Sequence, residues 1–185
     1  MAKVLVPLAE GFEDLEAIAI IDVLRRGGVE VVSASVSGSV EVRSAHGIEM
    51  KADALFSEAG QDVYDAIVLP GGGKGSENLK ACPELAERLR RQRDEGGLLC
   101  AICAAPTVLV AADALRPGVH VTCYPTCQME LDRPWSPAPV VSDGIVITGQ
   151  GPGSALLVAL VVLQHLVGDS RAHRIARSMV TDVLS

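Results

Sequence analysis

The chain has 185 residues, a length that suits one domain with a full hydrophobic core. Its net charge of -7 argues against nonspecific nucleic-acid binding, which needs a basic surface. Its longest apolar run, Ala155 to Leu163, is too short for a membrane span and predicts a buried helix. These observations together predict one domain over residues 1–185 without nucleic-acid or membrane partners. Because we recognise no export signal, we expect it in the cytoplasm.

Short runs rich in Val, Ile and Leu alternate with helix-like segments along the chain. Most of these runs lack polar alternation, as expected of parallel strands that are buried on both faces. Helices are predicted at Glu13–Arg26, which stops at two glycines, and at Pro83–Glu95, which begins with proline. The alternation predicts a doubly wound α/β fold. The predicted strands cover residues 3–9, 29–35, 66–71, 98–102 and 118–122.

Residues 37–50 and 138–148 alternate more strongly and predict antiparallel additions, the second with a hairpin turn at residues 142–144. In an open α/β sheet, ligands bind beyond the carboxyl ends of the strands. A functional site is therefore expected where those strand ends carry unusual residues. Three ends do so, namely residues 10–16, 70–76 and 103–107.

The stretch LLCAICAAPTVLVAA, residues 98–112, places Cys103 where a strand meets a helix. Such a turn is a nucleophile elbow, and free N–H groups of the following helix favour a thiolate, so we predict a lowered pKa for Cys103. A buried structural cysteine and a thioredoxin-like C-x-x-C pair with Cys100 stay open as alternatives. Cys100 itself is interpreted as a core residue inside the strand. Cys123 and Cys127 are interpreted as structural rather than as a metal or disulfide pair.

Acidic residues crowd the turn after the first predicted strand. Most of them complement the dipole of the following helix, but one can reach Cys103 if the two strand ends are neighbours. A carboxyl group pressed against that sulfur would have a raised pKa and could serve as a general acid or base. The glycines of residues 69–78 form either a plain turn or an oxyanion hole of backbone donors. Spacing does not select among the four acids, Glu10, Glu13, Asp14 and Glu16.

Four motifs occur in the order AEGFEDLE, VLPGGG, AICAAPTVL and GQGPGSA. Together they resemble the ThiJ/PfpI superfamily, in the branch of the Parkinson-disease-associated protein deglycase, over nearly the whole chain. The resemblance implies a flavodoxin-like three-layer sandwich with a mostly parallel sheet and a nucleophile-elbow cysteine. It also implies a homodimer with an interface near the helix that carries Asp22 and Arg26. We expect no cofactor and no metal.

Residue by residue, the resemblance implies that Cys103 is the nucleophile and is sensitive to oxidation. Glu16, the last acid of GFEDLE, matches the glutamate that hydrogen-bonds this sulfur. The amides of Gly71 and Gly72 match the backbone donors for an oxyanion, and Ala104 supplies another. The implied catalytic pair is therefore Cys103 and Glu16.

The sequence departs from the family pattern at three places. Tyr124 stands where many members have histidine directly before a proline, and a phenol is a poor base at neutral pH. A Cys–His dyad is therefore not assumed. His46 and Gln150 stand where members often have arginine. We expect Tyr124 and His46 to support the site from its edge.

The functional expectation is a cysteine-dependent glyoxalase or protein deglycase. Its substrates would be methylglyoxal, related dicarbonyls or glycated proteins. The alternative is a redox sensor or stress-response chaperone without turnover. The fold is shared by both hypotheses and does not separate them.

Overall fold

A central sheet of seven strands organises residues 1–181, the part of the chain that the computed structural model describes. Residues 182–185 of the expected domain lie outside the described residues. The strands are β1 (Lys3–Leu8), β2 (Glu30–Ser35), β3 (Glu41–Arg43), β4 (Glu49–Lys51), β5 (Ala54–Leu55), β6 (Ala66–Leu69), β7 (Leu98–Ile102), β8 (Val140–Asp143) and β9 (Val146–Gly149). The helices are α1 (Asp14–Arg26), α2 (Phe56–Ala59), α3 (Gly73–Lys80), α4 (Pro83–Asp94), α5 (Pro106–Ala111), α6 (Ala155–Val167) and α7 (Asp169–Ser178).

The sheet has the order β5-β2-β1-β6-β7-β9-β8. All neighbouring pairs are parallel except β8 and β9, which form an antiparallel hairpin at one edge. β3 and β4 pair only with each other, in a small antiparallel sheet. The expected three-layer α/β sandwich with a mostly parallel sheet is confirmed.

Both faces of the sheet are buried, as the apolar strand sequences predict. Val4 and Val6 of β1 pack in one core, which also holds buried residues of α1 and α6. Leu5, which lies between them, packs in a second core together with residues of α4 and α5. Successive side chains of a strand point to opposite faces, so a continuous apolar run is what a sheet covered on both sides requires.

The predicted helices are present, with ends set by recognisable residues. Glu13 caps α1, because its side chain accepts a hydrogen bond from the Glu16 N–H at 2.8 Å. Gly27 caps the C-terminus of α1, and the next residue, Gly28, adopts a left-handed conformation with φ 75°. This conformation turns the chain towards β2. The apolar run at residues 155–163 extends to Val167 as α6 and is largely buried. None of the helices within residues 1–181 is both long and apolar enough to cross a bilayer.

The strand predicted at residues 118–122 is wrong. The structure places only an isolated bridge there, between Val121 and Trp135. The apolar pattern reflects the burial of Val121, while the place beside β7 that a further strand would occupy is taken by β9. The hairpin at 138–148 is confirmed, and its turn lies at Gly144, with φ 61°.

Candidate active site

The carboxyl ends of β1, β6 and β7 meet at one edge of the sheet, and backbone hydrogen bonds join the loops that follow β1 and β6. The Glu13 N–H donates to the Gly71 carbonyl at 3.0 Å, and the Gly75 N–H donates to the Gly11 carbonyl at 3.1 Å. The start of α1 is therefore held against the glycine-rich loop before α3. This contact brings the first turn of α1 close to the end of β7.

Cys103 occupies the elbow between β7 and α5. Its backbone has φ 64°, a left-handed conformation that is uncommon for a residue with a side chain and is found at strained functional turns. Its N–H donates to the Gly149 carbonyl at 2.9 Å, and its own carbonyl accepts from the Tyr124 N–H at 2.8 Å. The side chain is only 8% exposed. Neighbouring segments thus hold the strained turn from both sides.

Glu16 is the acid that the structure selects from the four candidates. It lies in the first turn of α1 and is completely buried. Its Oε2 accepts a hydrogen bond from the Gly71 N–H at 2.7 Å. Glu13 instead caps the helix, and Glu10 is exposed and accepts from the Arg43 N–H. Tertiary packing therefore settles what the spacing of the acids left open.

Gly71 is the point at which the cysteine and the glutamate meet. A Cβ atom at this position would lie 2.6 Å from the Cys103 Cβ and 2.7 Å from Glu16 Oε2, closer than real Cβ atoms approach such neighbours. The next residue, Gly72, has φ 93° and passes so close to Gly11 that a Cβ would fall 2.4 Å from the Gly11 carbonyl oxygen. The two glycines permit the close approach of the three loops.

Burial raises the pKa of the Glu16 carboxyl to about 7. The hydrogen bond from Gly71 lowers the pKa and the charge of Glu13 raises it, while the hydrogen bond with Cys103 lowers it further. The other oxygen, Oε1, is buried without a hydrogen bond of good geometry. A carboxyl group with a pKa near 7 changes its protonation state at neutral pH, as a general acid or base must.

The pKa of the Cys103 thiol differs from the prediction. Burial raises its pKa to about 12 and the carboxylate of Glu16 adds to the rise, while the amides of Gly72 and Ala104 lower it. The expected lowering is wrong, because the loss of water and a nearby negative charge outweigh the backbone dipoles. The thiol and the carboxyl titrate as a pair, and near neutral pH the carboxyl loses its proton first.

The backbone donors are also rearranged relative to the expectation. The amides of Gly72 and Ala104 lie near enough to the Cys103 sulfur to lower its pKa, whereas the resemblance implied them as donors to an oxyanion. The Gly71 amide is engaged by Glu16 and does not point at an open position, so its role changes from oxyanion donor to positioning of the carboxyl. Two amides therefore stabilise negative charge at or beside the sulfur.

Tyr124 touches the elbow through its backbone, and its ring is 44% exposed. The ring forms part of the wall of an open pocket of about 440 Å³, beside Gln150. The proline residues of this wall had no signal in the sequence that linked them to Cys103, because they come from three separate loops. The pocket is lined by Tyr124, Pro125, Pro139, Gln150, Gly151, Pro152, Gly153 and Ser154.

His46 lies beside α1 rather than beside the sulfur. Its Nδ1 is 2.6 Å from Asp14 Oδ2, and this hydrogen bond and charge raise the pKa of His46. The other Asp14 oxygen accepts from Ser44, a partner that no sequence motif indicated. Side-chain ligand atoms of Glu13, Asp14 and His46 lie within 4.8 Å of one another. Hydrogen bonds already engage these groups, so we assign no metal to them.

All five cysteines are free thiols. Cys100 is fully buried inside β7, which confirms its interpretation as a core residue. The thioredoxin-like alternative is wrong, since such a pair needs both cysteines at the start of a helix and Cys100 lies within the strand.

Comparison with known proteins agrees with this geometry. The sequence model of the DJ-1/PfpI family matches residues 2–165. The chain belongs to the DJ-1/PfpI family. It is 39% identical over 180 residues to protein DJ-1 homolog B of Arabidopsis thaliana, an alignment that covers 96% of this chain and 41% of that protein. The chain thus spans less than half the length of this relative.

Other members of the DJ-1/PfpI family match over nearly their whole length. The glutathione-independent glyoxalase DJR-1.2 of Caenorhabditis elegans is 34% identical over 181 residues, which cover 96% of this chain and 95% of that protein. The crystal structure of Drosophila melanogaster DJ-1beta superimposes with a TM-score of 0.95 at 34% identity, covering 98% of each chain. The fold is therefore that of DJ-1.

Proposed function

We propose that this chain is a cysteine-dependent glyoxalase and deglycase that acts on methylglyoxal, related dicarbonyls and the adducts that they form on proteins. The observation that carries the proposal is the meeting of Cys103 and Glu16 at Gly71, where a nucleophile and a base with a pKa of about 7 share one buried site. The glyoxalase from Caenorhabditis elegans supports it as a family member with this named activity.

The first step joins the Cys103 sulfur to the aldehyde carbon. The Glu16 carboxylate accepts the thiol proton as the sulfur attacks, so no resting thiolate is needed despite the raised pKa of Cys103. The aldehyde oxygen gains negative charge as the C–S bond forms. The amides of Gly72 and Ala104, which lower the pKa of Cys103, would donate to this charged oxygen. Glu16 then returns the proton to this oxygen, which gives the neutral hemithioacetal and a free carboxylate.

The second step moves a proton between adjacent carbon atoms of the bound substrate. Glu16 removes the proton from the former aldehyde carbon and returns a proton to the neighbouring carbon, while the hydroxyl proton passes to the former ketone oxygen. These transfers convert the hemithioacetal into a thioester of the 2-hydroxy acid. Water then hydrolyses the thioester and regenerates the thiol. Methylglyoxal and one water give lactate, with no change in total oxidation state.

Lactate formation from methylglyoxal, without added glutathione, tests this proposal. We expect Cys103→Ser to lose at least ~10³-fold in rate, because it removes the nucleophile. Glu16→Gln should lose about 10²- to 10⁴-fold, the usual contribution of a general base. Cys82→Ser is the matched control, since Cys82 is a partly buried thiol elsewhere on the surface. Equal rates in all four proteins would reject the proposal.

A redox sensor or stress chaperone without turnover is the second candidate. The same cluster of donors favours it, because the Glu16 carboxyl and the amides of Gly72 and Ala104 could hold the oxygens of a Cys103 sulfinate. The lactate measurement separates the two candidates. A wild-type chain that forms no lactate but gains two oxygens on Cys103 in mild peroxide would support the sensor.

We further propose a homodimer that uses α1 and resides in the cytoplasm, where thiols stay reduced. Leu15 and Ile18 of α1 are large apolar side chains that are more than half exposed, and Asp22 and Arg26 form an ion pair at 2.7 Å on the same helix. Sedimentation equilibrium tests the dimer. A mass equal to one chain at micromolar concentration would contradict it, and retention of a tagged chain in an oxidising compartment would contradict the location.

A further inference from the structure

Cys123 and Cys127 form a second group of thiols that the proposed reaction does not use. Cys123 is fully buried, and Cys127 is partly exposed. The Cys123 thiol donates to the Tyr124 carbonyl oxygen at 3.1 Å, and the Cys127 N–H donates to the same oxygen at 2.8 Å. Because both atoms contact this one oxygen, the distance from the Cys123 sulfur to the Cys127 nitrogen cannot exceed the sum of these two distances. The two thiols belong to one tight turn.

Burial and neighbouring groups both act on the Cys123 thiol. Burial raises the pKa of Cys123 to about 11, and charge on the neighbouring Cys127 thiol acts in the same direction, while the indole N–H of Trp135 lowers the pKa. Trp135 Nε1 is buried and has no hydrogen-bond partner within residues 1–181. A buried donor that lacks an acceptor therefore lies near enough to Cys123 to affect its thiol.

We propose that Cys123 and Cys127 are a redox-active dithiol, separate from Cys103, that hydrogen peroxide converts into a disulfide. The peroxide transfers one oxygen to the more accessible Cys127 sulfur, which becomes a sulfenic acid as one water leaves. The Cys123 thiol then attacks that sulfur and displaces the oxygen as a second water, forming the S–S bond. The two thiols lose two electrons, and the peroxide is reduced to water.

The position of the dithiol connects it to the elbow. Tyr124 lies between the two cysteines, donates its N–H to the Cys103 carbonyl, and lines the neighbouring pocket with its ring. A disulfide would close a small ring of backbone around Tyr124 and restrict its movement. Oxidation of the pair would therefore change the mobility of Tyr124 in the wall of the pocket. The dithiol does not depend on the glyoxalase proposal.

Mass spectrometry tests the disulfide in full-length Cys103→Ser, which removes oxidation of the elbow cysteine. After treatment with hydrogen peroxide, we expect the chain to lose about 2 Da, the two thiol hydrogens, and the peptide with Cys123 and Cys127 to resist alkylation until it is reduced. Adding Cys127→Ser should abolish the loss, and adding Cys82→Ser should not. No loss of mass, or a loss that persists with Cys127→Ser, would overturn the proposal.

Trp135 is the only tryptophan in the chain, so its fluorescence offers a second measurement. Because its buried indole lies near enough to Cys123 to affect that thiol, we expect peroxide to shift its emission and dithiothreitol to restore it. The shift should be absent with Cys127→Ser, whose partly exposed site makes misfolding a small concern. An equal shift with and without the Cys127 thiol would count against the dithiol, because the tryptophan would then report some other oxidation.

Discussion

The elbow at Cys103 and the segment of residues 118–139 lie next to each other, but they are built differently. The elbow is buried and is hydrogen-bonded through both its N–H and its carbonyl. The neighbouring segment includes a 3-10 helix, Pro125–Glu130, that buries none of its residues, and its Met129 is 93% exposed. Cys103 thus lies in a buried turn that is hydrogen-bonded on both sides, while the 3-10 helix of the neighbouring segment lies on the surface.

The difference predicts that small changes at the elbow have large effects. In Gly71→Ala the new Cβ would press on both Cys103 and Glu16. We expect kcat/KM for methylglyoxal to fall about 100-fold, since a misplacement near 1 Å has that effect, and the free energy of unfolding to fall by ~1–3 kcal/mol. Enzyme kinetics and urea unfolding measure the two quantities.

Gly73→Ala is the matched control for this substitution, two residues along the same loop. A Cβ at Gly73 meets nothing within 4 Å, and the position begins α3. Its unfolding free energy should change by no more than about 0.5 kcal/mol, and its activity should stay near that of the wild type. If both alanines cost the same, the crowding at Gly71 would not be the cause.

The buried charge of Glu16 predicts a pH dependence of stability. The folded chain keeps this proton up to about pH 7, whereas an unfolded chain releases it near the ordinary value of 4.5. The contribution of Glu16 to the free energy of unfolding is therefore largest below pH 4.5. It falls by about 3 kcal/mol as the pH rises to 7. The side chain of Glu16→Gln cannot ionise, so the free energy of unfolding of this variant should not fall in this way.

Urea unfolding of both proteins between pH 4 and 8 measures this effect. The difference between the wild type and Glu16→Gln cancels contributions from other titrating groups that the two share, such as His46 and Asp53. Parallel stability curves for the two proteins would show that Glu16 ionises as freely in the folded chain as in the unfolded one.

The smallest effect is expected at Tyr124, on the less constrained side of the comparison. Its ring is partly exposed, and its contact with the elbow is made by its backbone. Tyr124→Ala should lower kcat/KM about tenfold at most and change the unfolding free energy by no more than about 0.5 kcal/mol. Tyr124→Phe should behave as the wild type. A loss as large as that of Gly71→Ala would instead assign the phenol a part in proton transfer.

The sequence was sufficient to predict the elbow and the mostly parallel sheet, because local patterns determine strands, helices and tight turns. The catalytic pair of Cys103 and Glu16 came only from the family resemblance and stays a proposal. The prediction of a strand at residues 118–122 was wrong for a reason that lies outside these residues. Its apolar residues predict burial correctly, but whether a buried stretch joins the sheet depends on which strand already occupies the neighbouring edge.

The sequence alone determined which residues could be reactive and on which element each lies, since these follow from residue type and short-range periodicity. Only the tertiary structure decided their protonation and their partners. The pKa of Cys103 depends on how completely water is excluded and on a carboxylate from a distant helix, and both are sums over the whole fold. The same holds for the Gly71 amide, which packing directs to Glu16.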